Sequence, residues 1–316
     1  MKNAAFAISL AAGALMVAAP AFAANEGTEG HGQAVITVLP AHDKEATPAN
    51  LSQQDLSIKV NGKDSTITNW IPLRGENDRL ELVVLIDGSA RTSLATQIPD
   101  IAKFVTTLPA NAKVAVAYMQ NGTAALTSPL TTDHAQAAKG LHIPGGIPGS
   151  SASPYFCLSS LAQHWPSNDH AARRVVVMIT DGVDYYNPRY DPDDPYVQAS
   201  ITDSVRAGLV VYSIYWQNQG RFDRSGYATN AGQNLLLNVT QTTGGNSYWE
   251  GYGNPVSFQP YFKDLDRRLQ NQYEVSFTAP VKGKSQVETI KLKANGLSGK
   301  IDAPQQVFVA PAGSGM

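Results

Sequence analysis

Two short apolar runs, each ending in Asp-Gly, dominate the hydrophobic pattern of the chain. Residues 82–86 lead into Asp87-Gly88-Ser89, and residues 175–179 lead into Thr180-Asp181-Gly182. Continuous apolar runs of this length, rich in β-branched residues, are typical of strands buried on both faces, as in a parallel sheet. Apolar packing does not explain an acid, a glycine and a hydroxyl at the end of each run. We therefore predict two buried strands whose ends build one site.

Strands and helices alternate between residues 81 and 271. Helical spacing covers residues 94–108, where Pro99 is predicted to start or kink the regular helix. Further strands are predicted at 113–119, 209–216 and 246–249, with an edge hairpin partner at 123–130. Helices are predicted at 133–141, 153–165, 194–208, 231–243 and 258–269, with Asp133, Ser153 and Asp194 as N-caps. This alternation predicts an α/β fold with a doubly wound, mostly parallel sheet.

The segments that flank this region lack helices. Residues 24–32 are polar and glycine-rich, which predicts a flexible start. Strands are predicted at 34–39, 56–60 and 65–70, with Asn61-Gly62 as a hairpin turn, and again at 273–278, 287–293 and 306–309. We predict four parts: an export signal (1–23), an N-terminal β unit (24–80), the α/β domain (81–271) and C-terminal β strands (272–316). The two small β units could pack together, because they flank the α/β domain.

The first residues have the pattern of an export signal. Lys2 is followed by an apolar core over residues 4–17 and by the small-residue cleavage site Ala21-Phe22-Ala23. An uncleaved anchor is the alternative, but this core is short for a membrane span. We expect a mature chain without a transmembrane segment, located in the periplasm or outside the cell. The formal net charge of −2 gives no support for nucleic-acid binding. Cys157 is the only cysteine, so an internal disulfide is excluded and a buried hydrophobic role is favoured.

The two aspartates predict a shared crevice. Ligands of open α/β sheets bind beyond the carboxyl ends of the strands, where the strand order reverses. If the two strands are neighbours there, Asp87 and Asp181 converge. Two carboxylates with hydroxyl oxygens nearby suit Mg²⁺ or a similar divalent cation.

These residues resemble a known family. Leu-Ile-Asp-Gly-Ser, a later serine loop and Val-Val-Met-Ile-Thr-Asp-Gly together resemble the von Willebrand factor type A (VWA) domain, in particular a bacterial exported branch of it. The resemblance covers roughly residues 33–310. It implies a metal-ion-dependent adhesion site, in which a partner's carboxylate completes the coordination of a cation. Asp87 and Ser89 match the start of the Asp-x-Ser-x-Ser motif, and Asp181 matches the late aspartate. The loop threonine corresponds best to Ser153, with Ser150 and Ser151 as alternatives.

Arg91 departs from this motif, because the third position should be serine. A guanidinium about 4 Å from a divalent cation would be repelled by several kcal/mol at an effective dielectric constant near 20. Arg91 could form an ion pair between Asp87 and Asp181 and replace the metal. It could also turn outward, so that Ser93 or water completes a weakened site. The sequence is therefore compatible with a metal-bound and with a metal-free site.

The loop over residues 184–196 is rich in tyrosine, with Tyr185, Tyr186 and Tyr190 as candidate partner-binding residues together with Arg91. Tyrosine-rich loops suit protein recognition, although an ordinary packed surface loop is the alternative. There is no His-Glu-x-x-His, Gly-x-Ser-x-Gly or phosphate-loop motif. We predict a non-enzymatic, adhesion-type module that binds a protein or peptide. The alternatives are a metal-free scaffold and, least favoured, a hydrolase that uses the paired aspartates.

Overall fold

The computed structural model describes residues 28–40, 51–187, 191–218, 226–281, 283–295 and 299–312. The predicted export signal and Tyr190 therefore lie outside the described residues. Within these ranges, every helix is too short or too polar to cross a membrane.

The described elements are as follows in chain order. The strands are β1 (Thr28–Pro40), β2 (Leu56–Val60), β3 (Lys63–Pro72), β4 (Leu80–Asp87), β5 (Lys113–Gln120), β6 (Thr123–Leu126), β7 (Arg173–Thr180), β8 (Leu209–Tyr215), β9 (Ser247–Tyr248), β10 (Gln272–Val281), β11 (Gln286–Ala294), β12 (Gly299–Asp302) and β13 (Gln306–Pro311). The α-helices are α1 (Ile98–Thr107), α2 (His134–Ala138), α3 (Pro154–Gln163), α4 (Pro195–Arg206), α5 (Tyr227–Thr243) and α6 (Gln259–Gln270).

A six-stranded sheet with the order β6-β5-β4-β7-β8-β9 forms the α/β region. Only β6 runs antiparallel, as the hairpin partner of β5, and the other neighbours are parallel. The predicted α/β class with a mostly parallel sheet is confirmed. All eight residues of β4 and all eight of β7 are buried, as their apolar runs predicted. The chain moves from β4 to β5 on one side and continues with β7 on the other, so the strand order reverses between β4 and β7.

Helices cover both faces of this sheet because alternate residues of β4 point to opposite sides. Leu82, Val84 and Ile86 share a core with residues of α1 and α6, whereas Val83 and Leu85 share one with α3, α4 and α5. Pro99 lies in the first turn of α1, after a 3₁₀ segment over Thr92–Gln97, as expected for a proline that starts the regular helix. The N-caps predicted at Asp133, Ser153 and Asp194 are confirmed, since each side chain accepts a hydrogen bond from its helix backbone.

The flanking strands form one sheet rather than two small units. Its pairings run β10-β3-β2-β11-β13-β1, and β1 also pairs with β10, so this antiparallel sheet closes on itself; β12 is added to the edge of β1. Strand β12 was not predicted.

The flexible start predicted for residues 24–32 is wrong for residues 28–32, which belong to β1. The glycines there permit close packing, because a Cβ on Gly30 would lie 2.6 Å from Val281 and one on Gly32 would lie 2.4 Å from Phe277.

Candidate functional site

Asp87 ends β4 inside a cage of neutral donors. Its Oδ1 accepts from the backbone N–H of Ser89 at 2.8 Å. Its Oδ2 accepts from the Thr180 hydroxyl at 2.6 Å and from the side-chain amide of Asn218 at 2.9 Å. Asp87, Ser89, Thr180 and Asn218 are all fully buried. These three hydrogen bonds leave neither oxygen of the Asp87 side chain without a partner.

The Ser89 hydroxyl faces two serines of the loop before α3. Its Oγ lies 3.2 Å from the Oγ of Ser150 and 3.1 Å from the Oγ of Ser151. The backbone N–H of Ser151 also donates to it at 3.2 Å. The loop is held against the turn between β5 and β6 by hydrogen bonds from the backbone N–H groups of Asn121 and Gly122 to the carbonyls of Ser150 and Ser151. Ser150 is half-buried, whereas Ser89 and Ser151 are buried.

Ser153, the residue that the sequence favoured for the loop ligand, uses its hydroxyl elsewhere. Its Oγ accepts from the backbone N–H of Tyr155 at 3.2 Å and so caps α3. It also hydrogen-bonds Asp184. The hydroxyl contacts with Ser89 are thus made by the alternatives Ser150 and Ser151. The geometry favours these two over Ser153 as the loop contribution to the site.

Asp181 follows β7 directly, across the strand reversal from Asp87, and is 1% exposed. Its Oδ1 accepts from the backbone N–H of Val183 at 3.0 Å. Gly182 has a positive φ of 67°, and a Cβ there would lie 2.6 Å from the Gly232 carbonyl in α5. The glycine after the aspartate is therefore required by both backbone conformation and close helix packing.

Negative charge accumulates behind Asp181. Tyr155 donates from its hydroxyl to the Gly182 carbonyl at 2.6 Å. Burial, with further contributions from Asp181, Asp184 and Asp194, raises the pKa of Tyr155 well above its usual value. Burial is also the main reason that the pKa of Asp184 is raised. Asp181, Asp184 and Asp194 thus all lie close enough to Tyr155 to act on its pKa.

Arg91 is tied to the segment that follows β8. Its backbone N–H donates to the Gln217 carbonyl at 3.3 Å, and its Nε donates to the Asn218 carbonyl at 3.2 Å. The described hydrogen-bond partners of Asp87 are Ser89, Thr180 and Asn218, so the interpretation of Arg91 as a bridge between the two aspartates gains no support at Asp87. Ser93, the suggested substitute, is exposed on the 3₁₀ segment.

The oxygen atoms of Asp87, Ser89 and Ser151 are of the chemical kind that hard divalent cations accept as ligands. The hydroxyl oxygens of Ser89 and Ser151 are hydrogen-bonded to each other at 3.1 Å. Among the described residues, no three His, Cys, Asp or Glu side chains are grouped to hold a metal. A cation here would therefore depend on serine hydroxyls.

Exposed aromatic and aliphatic side chains belong to the loops and helix starts beyond the carboxyl ends of the strands. Tyr186 is 68% exposed and its ring lies 5.0 Å from that of Phe156, which also contacts Tyr196 at 4.9 Å. Of the predicted tyrosines, Tyr186 is thus exposed, whereas Tyr185 is half-buried. Further exposed members are Ile143, Ile147, Tyr227, Tyr252 and Val256. We call this set, with Tyr186 and Tyr196, the apolar rim.

Sequence reasoning missed several of these residues. Thr180 stands beside the predicted aspartate, and its hydroxyl could have been noticed. Asn218 has no sequence signal, because it lies 131 residues from the carboxylate that it contacts. Cys157 is buried as predicted, and burial raises the pKa of its thiol to about 12.

Comparisons with known proteins show a distant likeness to VWA proteins. No family model and no curated protein matches the chain. An aerotolerance-related membrane protein from Bacteroides fragilis is 16% identical, with 60% of this chain and 98% of that one covered and a TM-score of 0.44. A von Willebrand factor type A protein from Catenulispora acidiphila is 12% identical, with 90% and 75% covered and a TM-score of 0.42.

A third similar structure is a thread matrix protein from the mussel byssus whose metal-ion-dependent adhesion site holds zinc. It is 12% identical, with 61% of this chain and 46% of that one covered and a TM-score of 0.40. At these identities and scores, the likeness by itself assigns neither a family nor a function to this chain.

Proposed function

We propose that this chain is an exported, non-enzymatic module of the VWA type that binds a protein or peptide partner at the carboxyl ends of β4 and β7. The proposal is supported by the position of Asp87 and Asp181 at the ends of the neighbouring strands β4 and β7, with the hydroxyls of Ser89 and Ser151 in contact 3.1 Å apart. A divalent cation bound there would supply a positive centre for a partner's carboxylate. Asp87, Ser89, Ser151 and Asp181 would hold it, with Ser150 as the half-buried member nearest to solvent.

Hydrogen bonds within the chain orient the side chains of this crevice. Thr180 and Asn218 fix the orientation of the Asp87 carboxylate through two hydrogen bonds. The backbone N–H of Ser151 fixes the Ser89 hydroxyl. Because the groups that orient the site are buried, little conformational freedom is lost when a ligand binds.

The apolar rim supplies the contact area for the partner. Exposed tyrosines bring large, amphipathic surfaces at low entropic cost, and they are enriched in binding hot spots. Phe156 supports Tyr186 and Tyr196 from below, so their rings are partly ordered before binding.

A metal-free scaffold is the second candidate, and the three neutral donors around Asp87 favour it. They give both oxygens of the buried carboxylate hydrogen-bond partners without a cation. Melting temperature decides between the two. We would measure it in EDTA, Mg²⁺ and Mn²⁺ for wild type, for Asp181→Ala and for Asp193→Ala, an exposed control in the same loop region.

Binding of a cation at about 100 times its Kd stabilises the folded state by about 2.7 kcal/mol. A cation-dependent rise in wild type and Asp193→Ala that is absent in Asp181→Ala supports the cation site. No rise in wild type, combined with a large loss of stability in Asp181→Ala, favours the scaffold.

Partner binding is tested with a phage-displayed random peptide library. We expect peptides that contain Asp or Glu to be enriched in Mg²⁺, to be released by EDTA and to bind Tyr186→Ser more weakly. Absence of enrichment on wild type, or equal binding to Tyr186→Ser, would contradict recognition at the rim. Hydrolysis of generic esters or phosphoesters that is lost on Asp87→Asn would instead support the hydrolase.

A further inference from the structure

A cavity lies at the end of the central sheet opposite to the crevice of Asp87 and Asp181. It is placed between that sheet's helices and the closed antiparallel sheet. Its volume is about 710 Å³. One wall contains the starts of β7 and β8 with the ends of α3 and α4, and the other contains parts of β1 and β13. Ligand sites typically enclose about 300–1,000 Å³ and often lie between packed units, so both size and position suit a small molecule.

Two adjacent buried arginines begin β7 at this cavity, and their surroundings differ. Arg173 forms an ion pair with Asp78 and donates to the Leu269 carbonyl at 2.8 Å and to Gln272 Oε1 at 2.7 Å. Its guanidinium therefore joins the two sheets and has a carboxylate partner.

Arg174 donates only to neutral acceptors among the described residues. Its two terminal nitrogens donate to the carbonyls of Ala207 at 3.4 Å, Ser167 at 3.2 Å and Asp169 at 3.4 Å. The residue is only 7% exposed, and its buried Nε, like that of Arg173, has no hydrogen-bond partner among the described residues. Long hydrogen bonds and an unsatisfied buried donor are costly for a guanidinium, because its desolvation is incompletely repaid.

The two acids whose charges act on Arg174, Glu81 and Asp169, also bind other groups. Glu81 accepts from Trp165 Nε1 at 2.8 Å and pairs with Lys113 at 3.2 Å. Asp169 pairs with Arg79 at 2.6 Å. Burial lowers the pKa of Arg174, and the charges of Glu81 and Asp169 oppose this. Of the two acids that line the cavity, Asp203 accepts from Gln163 at 2.8 Å, and burial raises the pKa of Glu274.

Apolar side chains surround this cationic group. The Arg174 guanidinium lies 5.7 Å from the centroid of the Trp165 ring. Val205 and Leu209 line the same wall, and Val307 and Phe308 line the facing one. The cavity lining thus combines apolar side chains with the buried Arg174 guanidinium, and Arg173 and Arg206 also belong to it.

We infer that this cavity binds a small organic anion with an apolar body, whose acidic group pairs with Arg174 and whose apolar part packs between Trp165 and Phe308. Such a ligand would satisfy the buried guanidinium and fill apolar volume in one event. This site is separate from the crevice of Asp87 and Asp181, so its test does not depend on the proposed function.

Two fluorescent probes that differ by one charge test the inference. 1-Anilinonaphthalene-8-sulfonate carries a sulfonate, and N-phenyl-1-naphthylamine has the same ring system without it. We expect one sulfonate probe to bind per chain, and the neutral probe to bind about tenfold or more weakly, because a charge-assisted hydrogen bond is lost. We expect Arg174→Gln to weaken the sulfonate probe by a similar factor and to leave the neutral probe unchanged. Arg267→Gln, which removes an arginine outside the cavity lining, is the matched control.

Ala172→Trp is a second variant that tests binding in the cavity if Arg174→Gln does not fold. Ala172 is half-buried and lines the cavity, so a tryptophan there fills it and should abolish binding of both probes. Equal affinity of wild type for the two probes, unchanged binding of the sulfonate probe to Arg174→Gln, or unchanged binding to Ala172→Trp would each overturn the inference.

Discussion

The side-chain amide of Asn218 donates to the carboxylate of Asp87 across 2.9 Å, and both residues are completely buried. Asn218 follows β8 and Asp87 ends β4, so this bond joins two strands that do not pair with each other. It crosses the end of β7, whose Thr180 donates to the same carboxylate oxygen. The three strand ends are thereby fixed around one charged group.

Removal of this amide should weaken the fold. Asn218→Ala deletes one of three donors to a buried carboxylate, and we expect the free energy of unfolding to fall by about 1–3 kcal/mol. Urea denaturation measures the loss. Asn111→Ala is the control, since that exposed amide binds a backbone carbonyl at the surface and its loss should cost no more than about 0.5 kcal/mol. Equal losses in the two variants would show that the hydrogen bond to Asp87 contributes no more to stability than the surface hydrogen bond of Asn111.

Ser151 and Ser153 should have different functions. Ser151→Ala removes a hydroxyl that contacts Ser89, so we expect it to abolish any rise in melting temperature that Mg²⁺ produces in wild type. Ser153→Ala removes the N-cap of α3 and should cost about 0.5–2 kcal/mol while the response to Mg²⁺ persists. Melting curves with and without Mg²⁺ measure both effects. Loss of the response in Ser153→Ala alone would restore Ser153 as the loop ligand.

Asp184 should destabilise the folded chain at neutral pH. Its pKa is raised, chiefly by burial, so the folded state binds its proton more tightly than the unfolded state does. The cost of ionisation is absent at a pH below the unfolded pKa and fully present above the folded pKa. We therefore expect Asp184→Asn to melt above wild type at about pH 7 and the difference to shrink towards about pH 4.

Asp55 provides a comparison of opposite sign. Hydrogen bonds from Ser52 lower its pKa, so its ionised form favours the folded state. Asp55→Asn should thus melt below wild type at neutral pH, and this difference should disappear at low pH. If Asp184→Asn and Asp55→Asn both raised the melting temperature at pH 7, the opposite effects assigned to these two carboxylates would be wrong.

Arg173 should contribute far more to stability than Arg79, which lies at the surface. Arg173→Met leaves Asp78, the Leu269 carbonyl and Gln272 without their cation, and we expect a loss of about 3–5 kcal/mol. Arg79→Met breaks an exposed pair with Asp169 and should cost at most about 1 kcal/mol. Urea denaturation of the two variants measures the contrast, and comparable losses would contradict a joining role for Arg173.

Those parts of the fold that depend on local signals could be predicted from the sequence. The apolar runs before Asp87 and Asp181 are dense enough to specify buried strands, and a cap such as Ser153 acts on backbone two residues away. The glycine-rich start was misinterpreted because Gly30 and Gly32 signal flexibility locally. In the fold they instead make room for Val281 and Phe277, which come from β10.

The chemistry of the site was less predictable, because it depends on contacts between distant segments. The capping signal made Ser153 the preferred loop ligand, although the hydroxyls that meet Ser89 belong to Ser150 and Ser151. The position of Arg91 is set by the carbonyls of Gln217 and Asn218, which no motif specifies. Spacing within a motif cannot reveal such tertiary partners.

The closed antiparallel sheet also has a consequence for synthesis on the ribosome. Strand β1 pairs with β10, β12 and β13, so its partners are the last strands to be translated. Until those strands are present, the backbone hydrogen-bonding groups of β1 lack their partners in this sheet and can pair with other chains. Closure of the sheet therefore requires the last strands of the chain.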